Sequence, residues 1–193
     1  MNSYTLNLKL SANKITVEHF EQLCQLNPEL RLETNYQGEL IIMSPTGYET
    51  GMNNAGLIAQ FWNWNRQYNL GIVCDSSTGF ILPNGAIRSP DVSWIAKERV
   101  TQFSKEEKTK FLPLTPDFAL KLMSPSDQLK TTQGKMQEYR DNGVKLGWLI
   151  NPQQQQVEIY RLEKPTETVN KPSFLSGEAI LPDLVVELDF IWN

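Results

Sequence analysis

The chain has 193 residues, 40% hydrophobic and 21% charged, with a formal net charge of −4. It therefore reads as one globular domain over residues 1–193 in the cytoplasm, with no apolar run that could span a membrane and no basic-apolar leader. Two cysteines and one histidine leave too little for a disulfide framework, a zinc cage or a Ser-His hydrolase. The acidic balance argues against bulk adhesion to nucleic acid, without excluding a local basic face or a metal ion that meets a phosphodiester.

Residues 1–14 alternate weakly at Leu6, Leu8 and Leu10, as a loose strand or a tail. Thr16 is placed to cap a helix whose Val17, Phe20, Leu23 and Cys24 form an inward stripe ending at Asn27-Pro28. Residues 30–34 and 39–43 flank Asn35-Tyr-Gln-Gly38, the turn of a hairpin, and Glu33 and Glu39 read locally as its solvated charges. After Ser44-Pro45, residues 46–68 carry a long helical pattern. Met52, Ala55, Ala59 and Trp62 lie on one stripe, and Leu57, Phe61, Trp64 and Tyr68 on another. So wide an apolar face calls for cover on two sides, by the sheet and a neighbouring helix or by a second subunit. Phe61, Trp62, Trp64 and Tyr68 together point to a homodimer.

Residues 71–75 and 80–82 read as strands, and Pro83-Asn-Gly85 as a turn into a strand over 87–95. Asp91 falls at the start of that strand or inside it. Its neighbours Val92, Trp94 and Ile95 are apolar, so the carboxylate either meets a metal or cation or bonds its own backbone in the proline turn. The mixed charges of residues 97–110 suggest a short solvated helix.

Residues 114–151 read as strand, helix, strand, with room for a right-handed parallel crossover. Lys121 sits in the middle of the first of these strands, sharing a face with Ala119 and Met123, while Leu120 and Leu122 share the other. Either that face meets solvent and the ammonium reaches an edge, or a partner compensates a charge whose burial would cost several kcal/mol. Lys135 projects about 40° from Tyr139 on the helix, at the border of its apolar stripe. It could reach over the strand ends toward Asp91 or simply snorkel. Beyond the glutamine-rich loop at 153–156, residues 157–160 form an antiparallel strand, and the apolar segment 181–192 packs back on the body.

Taken together, Met43-Ser-Pro45, Glu49-Thr-Gly51, Asp75-Ser-Ser-Thr-Gly-Phe80, Leu82-Pro-Asn-Gly85, Arg88-Ser-Pro-Asp91, Pro116-Asp-Phe118, Lys135-Met-Gln-Glu-Tyr139 and Gly147-Trp-Leu-Ile150 resemble the Uma-type restriction endonucleases of the PD-(D/E)XK nuclease superfamily. The resemblance runs from about Thr16 to Trp192. It implies a restriction-endonuclease-like α/β core, a mixed central sheet flanked by helices with an N-terminal helix and hairpin, and Mg²⁺-dependent hydrolysis of DNA. In that family pattern Asp91 matches the first acid, and a second acid, a glutamate, falls on Lys121. Lys135 matches a helix lysine that stands in for the strand lysine, since position 123 is Met123.

An ammonium at position 121 removes an oxygen ligand and repels the metal ion. Three readings remain open. Asp91 and Lys121 pair in a degenerate site, the pairing lowering the carboxyl's pKa; or the chain is a working Mg²⁺ nuclease with substitute oxygens from Glu33, Glu39 or Glu49; or it is a non-catalytic partner-binding domain.

Overall fold

The computed structural model describes residues 15–192, so the expected strand or tail at residues 1–14 lies outside the described residues. The N-terminal part forms helix α1 (Val17–Leu26), capped by the Thr16 hydroxyl, and the hairpin of β1 (Arg31–Thr34) and β2 (Leu40–Met43). Helix α2 (Tyr48–Tyr68) follows, then β3 (Gly71–Asp75), β4 (Phe80–Ile81), β5 (Ile87–Arg88) and β6 (Val92–Ala96). The expected single strand over 87–95 is divided, because Pro90 lacks an N–H for a ladder. Consequently β5 joins a small antiparallel sheet, ordered β2-β1-β5-β4, while β6 enters the main sheet. Residues 97–110 are broken too, into the short helix α3 (Lys97–Thr101) and a 3₁₀ turn at Glu107–Thr109.

The strand–helix–strand unit is β7 (Phe118–Leu122), α4 (Leu129–Asp141) and β8 (Leu146–Asn151), with β7 and β8 parallel. Gly143 ends the helix at φ +99°, a left-handed conformation that costs glycine least. Gly147 lets α4 lie close, since a Cβ there would stand 2.8 Å from the Met136 methyl. Then come β9 (Gln156–Arg161), β10 (Glu167–Asn170), β11 (Phe174–Ser176) and β12 (Val185–Glu187). The main sheet runs β10-β9-β8-β7-β6-β3, antiparallel except for the β7–β8 pair, and is therefore mixed.

Alternation along β7 divides the core as the sequence implies. Phe118, Leu120 and Leu122 pack with Leu57, Phe61 and Trp64 of α2 and with Leu184, Leu188 and Trp192 of the C-terminal segment. Ala119 and Met123 pack instead with Met136 and Tyr139 of α4. Helices thus flank both faces of the sheet. Phe61 and Trp64, half of the aromatic set that suggested a dimer, are buried inside the chain itself. Phe61 lies 5.0 Å from Phe118 and Trp64 lies 5.9 Å from Trp94, ring to ring, because the sheet face of α2 needs bulky side chains to fill the space against it. Among the described residues, no helix is long and apolar enough to cross a membrane.

Candidate functional site

The loop between β5 and β6 delivers Asp91 to the edge of β7. Its N–H donates to the Leu120 carbonyl at 2.9 Å, and its Oδ2 accepts the Leu122 N–H at 2.7 Å. Those two bonds aim the carboxylate at residue 121. Lys121 Nζ lies 3.0 Å from Asp91 Oδ2, an ion pair in which the lysine side chain keeps 24% exposure and the aspartate 10%. The charge that looked out of place in a buried strand thus has its counter-ion across the β6–β7 join. Burial penalises the Lys121 ammonium, but the Asp91 carboxylate more than offsets it, and the lysine is held above its usual pKa.

For Asp91 the balance falls the other way. Burial pushes its carboxyl above the usual aspartate range, against the pull of Lys121 and the Leu122 N–H, with Asp127 adding a repulsive charge. Pairing by itself implied a lowered value; desolvation outweighs it.

A second network lies beside the first. Glu33, from β1, is 2% exposed; its Oε2 accepts from Lys135 Nζ at 2.7 Å and Arg88 Nη1 at 3.1 Å, and its Oε1 accepts the Ser89 N–H at 3.0 Å. Burial alone would raise the Glu33 carboxyl, but Lys135, Arg88 and the Ser89 N–H hold it below the usual glutamate value. Arg88 also grips Glu138 of α4, with Nε 2.6 Å from Oε2. A cleft of about 480 Å³ opens beside this network, with Tyr36, Arg88, Lys135 and Glu138 in its wall.

Three sequence candidates meet other partners or solvent. Lys135 does leave α4 toward the strand ends, but the hairpin carboxylate Glu33 intercepts it before Asp91. Glu39 is exposed at the hairpin turn, where it accepts from Asn35 Nδ2 at 2.6 Å. Glu49 is exposed in the first turn of α2. Strand alternation turns Glu33 inward, so it is the hairpin carboxylate that joins the cluster, and its charge bears on Lys121. Leu32 and Thr34 share the other face of β1, and all three residues are buried, so no alternation of apolar and polar residues marked Glu33 in the sequence; only the elements packed on both faces of the strand did.

A family model described as "Putative restriction endonuclease", Uma2, matches residues 17–189. The chain belongs to the Uma2 family. Among solved structures, one described as a putative nuclease belonging to DUF820, from Anabaena variabilis ATCC 29413, matches with a TM-score of 0.76. That match is at 17% identity and covers 92% of this chain and 97% of the other. At that identity the likeness shows the fold alone. No curated protein matches.

Uma2 membership raises the question whether these residues suit Mg²⁺, which demands about six oxygens at close to 2.1 Å. They do not. Asp91 Oδ2 already accepts from the Leu122 N–H and Lys121, and both Glu33 oxygens are taken by cationic or amide donors. Among the described residues, no group of three or more His, Cys, Asp or Glu side chains is placed to hold a metal ion.

Proposed function

We propose that this Uma2 protein is a DNA endonuclease-fold protein whose phosphodiester-hydrolysing centre is impaired, because an internal cation takes the place of the Mg²⁺ that such chemistry uses. The observation that carries the reading is the 3.0 Å contact between Lys121 Nζ and Asp91 Oδ2. An ammonium there neutralises the carboxylate as a metal ion would, but it offers no open coordination position, polarises no phosphoryl oxygen and generates no hydroxide. Lys135, the family's candidate for orienting water, is bound to Glu33 instead. The ligand in this reading is DNA, and the protein acts in the cytoplasm as a homodimer of single-domain chains.

The test restores the family's acid. Wild-type protein is expected to nick supercoiled plasmid no faster than Asp91→Asn in Mg²⁺ or Mn²⁺. Lys121→Glu should gain Mn²⁺ binding by calorimetry, since it replaces a repelling charge with an oxygen ligand beside Asp91. Robust metal-dependent nicking by the wild type, abolished in Asp91→Asn, would instead establish a working nuclease that uses substitute ligands. Unchanged metal affinity in Lys121→Glu would remove Lys121 from the site and leave a non-catalytic partner-binding domain.

A further inference from the structure

Helix α2 has two distinct faces. Thr50, Asn53, Leu57, Phe61 and Trp64 are buried against the body. On the opposite side Tyr48, Met52, Ala55, Ala59, Trp62 and Arg66 are all exposed, Tyr48 at 87%, Met52 at 48% and Trp62 at 54%. These six recur at intervals of four and three residues, the heptad spacing of a helix–helix seam, and stay within an arc of about 80°. One exposed aromatic needs no explanation, but a continuous stripe of this kind along about 27 Å of helix does.

The order of the stripe indicates what covers it. Outward from the level of Leu57, the two alanines come first, then Met52 and Trp62, then Tyr48 and Arg66. Small side chains thus lie innermost and large ones outermost at matched distances on either side of the helix centre, so that about a twofold axis there each residue meets its counterpart and not a like charge. We infer that the outward face of α2 docks a second copy of this chain, with the two helices antiparallel about a twofold axis level with Leu57.

In that arrangement Ala55 of one copy meets Ala59 of the other, and the small side chains let the backbones approach to about 8 Å. Met52 packs on Trp62, and the ring of Tyr48 lies against the Arg66 guanidinium. Glu49, in the first turn, also falls beside Arg66 of the other copy, and the helix dipoles oppose. A parallel pairing would set Glu49 against Glu49 and Arg66 against Arg66. The inference deepens the homodimer of the proposed function, and it holds or fails independently of the Asp91 site.

Sedimentation equilibrium of the full chain at micromolar concentration tests it. Wild type should behave as a dimer, twice the 22.1 kDa of one chain. Ala59→Glu buries a carboxylate at the seam and should raise the dimer dissociation constant at least about tenfold. Glutamate is a good helix former at an exposed site, so the unfolding midpoint of the monomer should be kept. Glu49→Arg should weaken the dimer about threefold, and Glu49→Arg combined with Arg66→Glu should restore it. A 22.1 kDa species throughout, a dimer that Ala59→Glu leaves unchanged, or a charge-swapped double variant as weak as Glu49→Arg alone would each overturn the inference.

Discussion

Replacing Lys121 by methionine keeps the length of the side chain and removes the charge, leaving Asp91 with the Leu122 N–H as its remaining donor. Removing one partner of a fully buried ion pair costs about 3–5 kcal/mol, because the other charge is stranded. Here the lysine keeps 24% and the aspartate 10% of side-chain exposure and one hydrogen bond survives, so the cost at neutral pH should be about 2–3 kcal/mol. For a chain of this size that is a fall of roughly 5–10 °C in thermal midpoint.

The pH dependence gives a sharper check. The Asp91 carboxyl already titrates above its ordinary value when folded, so the folded state binds the extra proton, and stability declines as pH rises through that window. Lys121→Met removes the opposing attraction and moves the folded value higher still. The deficit should therefore be small near the unfolded aspartate pKa of about 3.9 and fully developed above the raised folded value. Differential scanning calorimetry from acid to neutral pH measures it. Asp91→Asn in the Lys121→Met background should recover most of the loss, since the asparagine Oδ1 can still accept from Leu122. A midpoint at pH 7 within about 1 °C of wild type, or a deficit of the same size at acid and neutral pH, would refute the assignment of Lys121 as the counter-ion of Asp91.

Glu33→Gln should cost about 2–4 kcal/mol at pH 7, because Arg88 and Lys135 lose the carboxylate they share. The sign with pH is opposite to that of Asp91: with a folded value held below normal, the Glu33 contribution is present above about 4.3 and lost as pH falls through the lower folded value, so urea titrations of variant and wild type should converge in acid. Phe61→Ala should lower the stability of each chain by about 3–5 kcal/mol in denaturant titration while leaving the mass by sedimentation unchanged, since Phe61 is wholly buried against Phe118 and Trp148.

Much of the architecture was legible in the chain because it rests on local periodicity. The Thr16 cap, the hairpin around Gly38, the long helix over 48–68 and the β7–α4–β8 unit each carry their own pattern of apolar spacing and turn residues. Strand alternation also set Lys121 on one face with Ala119 and Met123, and the family resemblance, through the second-acid position that Lys121 occupies, pointed to Asp91 as its partner. What spacing could not decide was which distant side chains meet. Glu33, Glu39 and Glu49 are equivalent in one dimension; the pairing of β1 with β2 and β5 turns Glu33 into the cluster and leaves Glu39 at the turn. The same holds for the aromatic residues of α2, of which Phe61 and Trp64 became core and Trp62 stayed outside only once the helix docked on the sheet. The direction of the Asp91 shift was likewise a tertiary outcome: pairing is readable from two residues, but desolvation depends on everything packed around them.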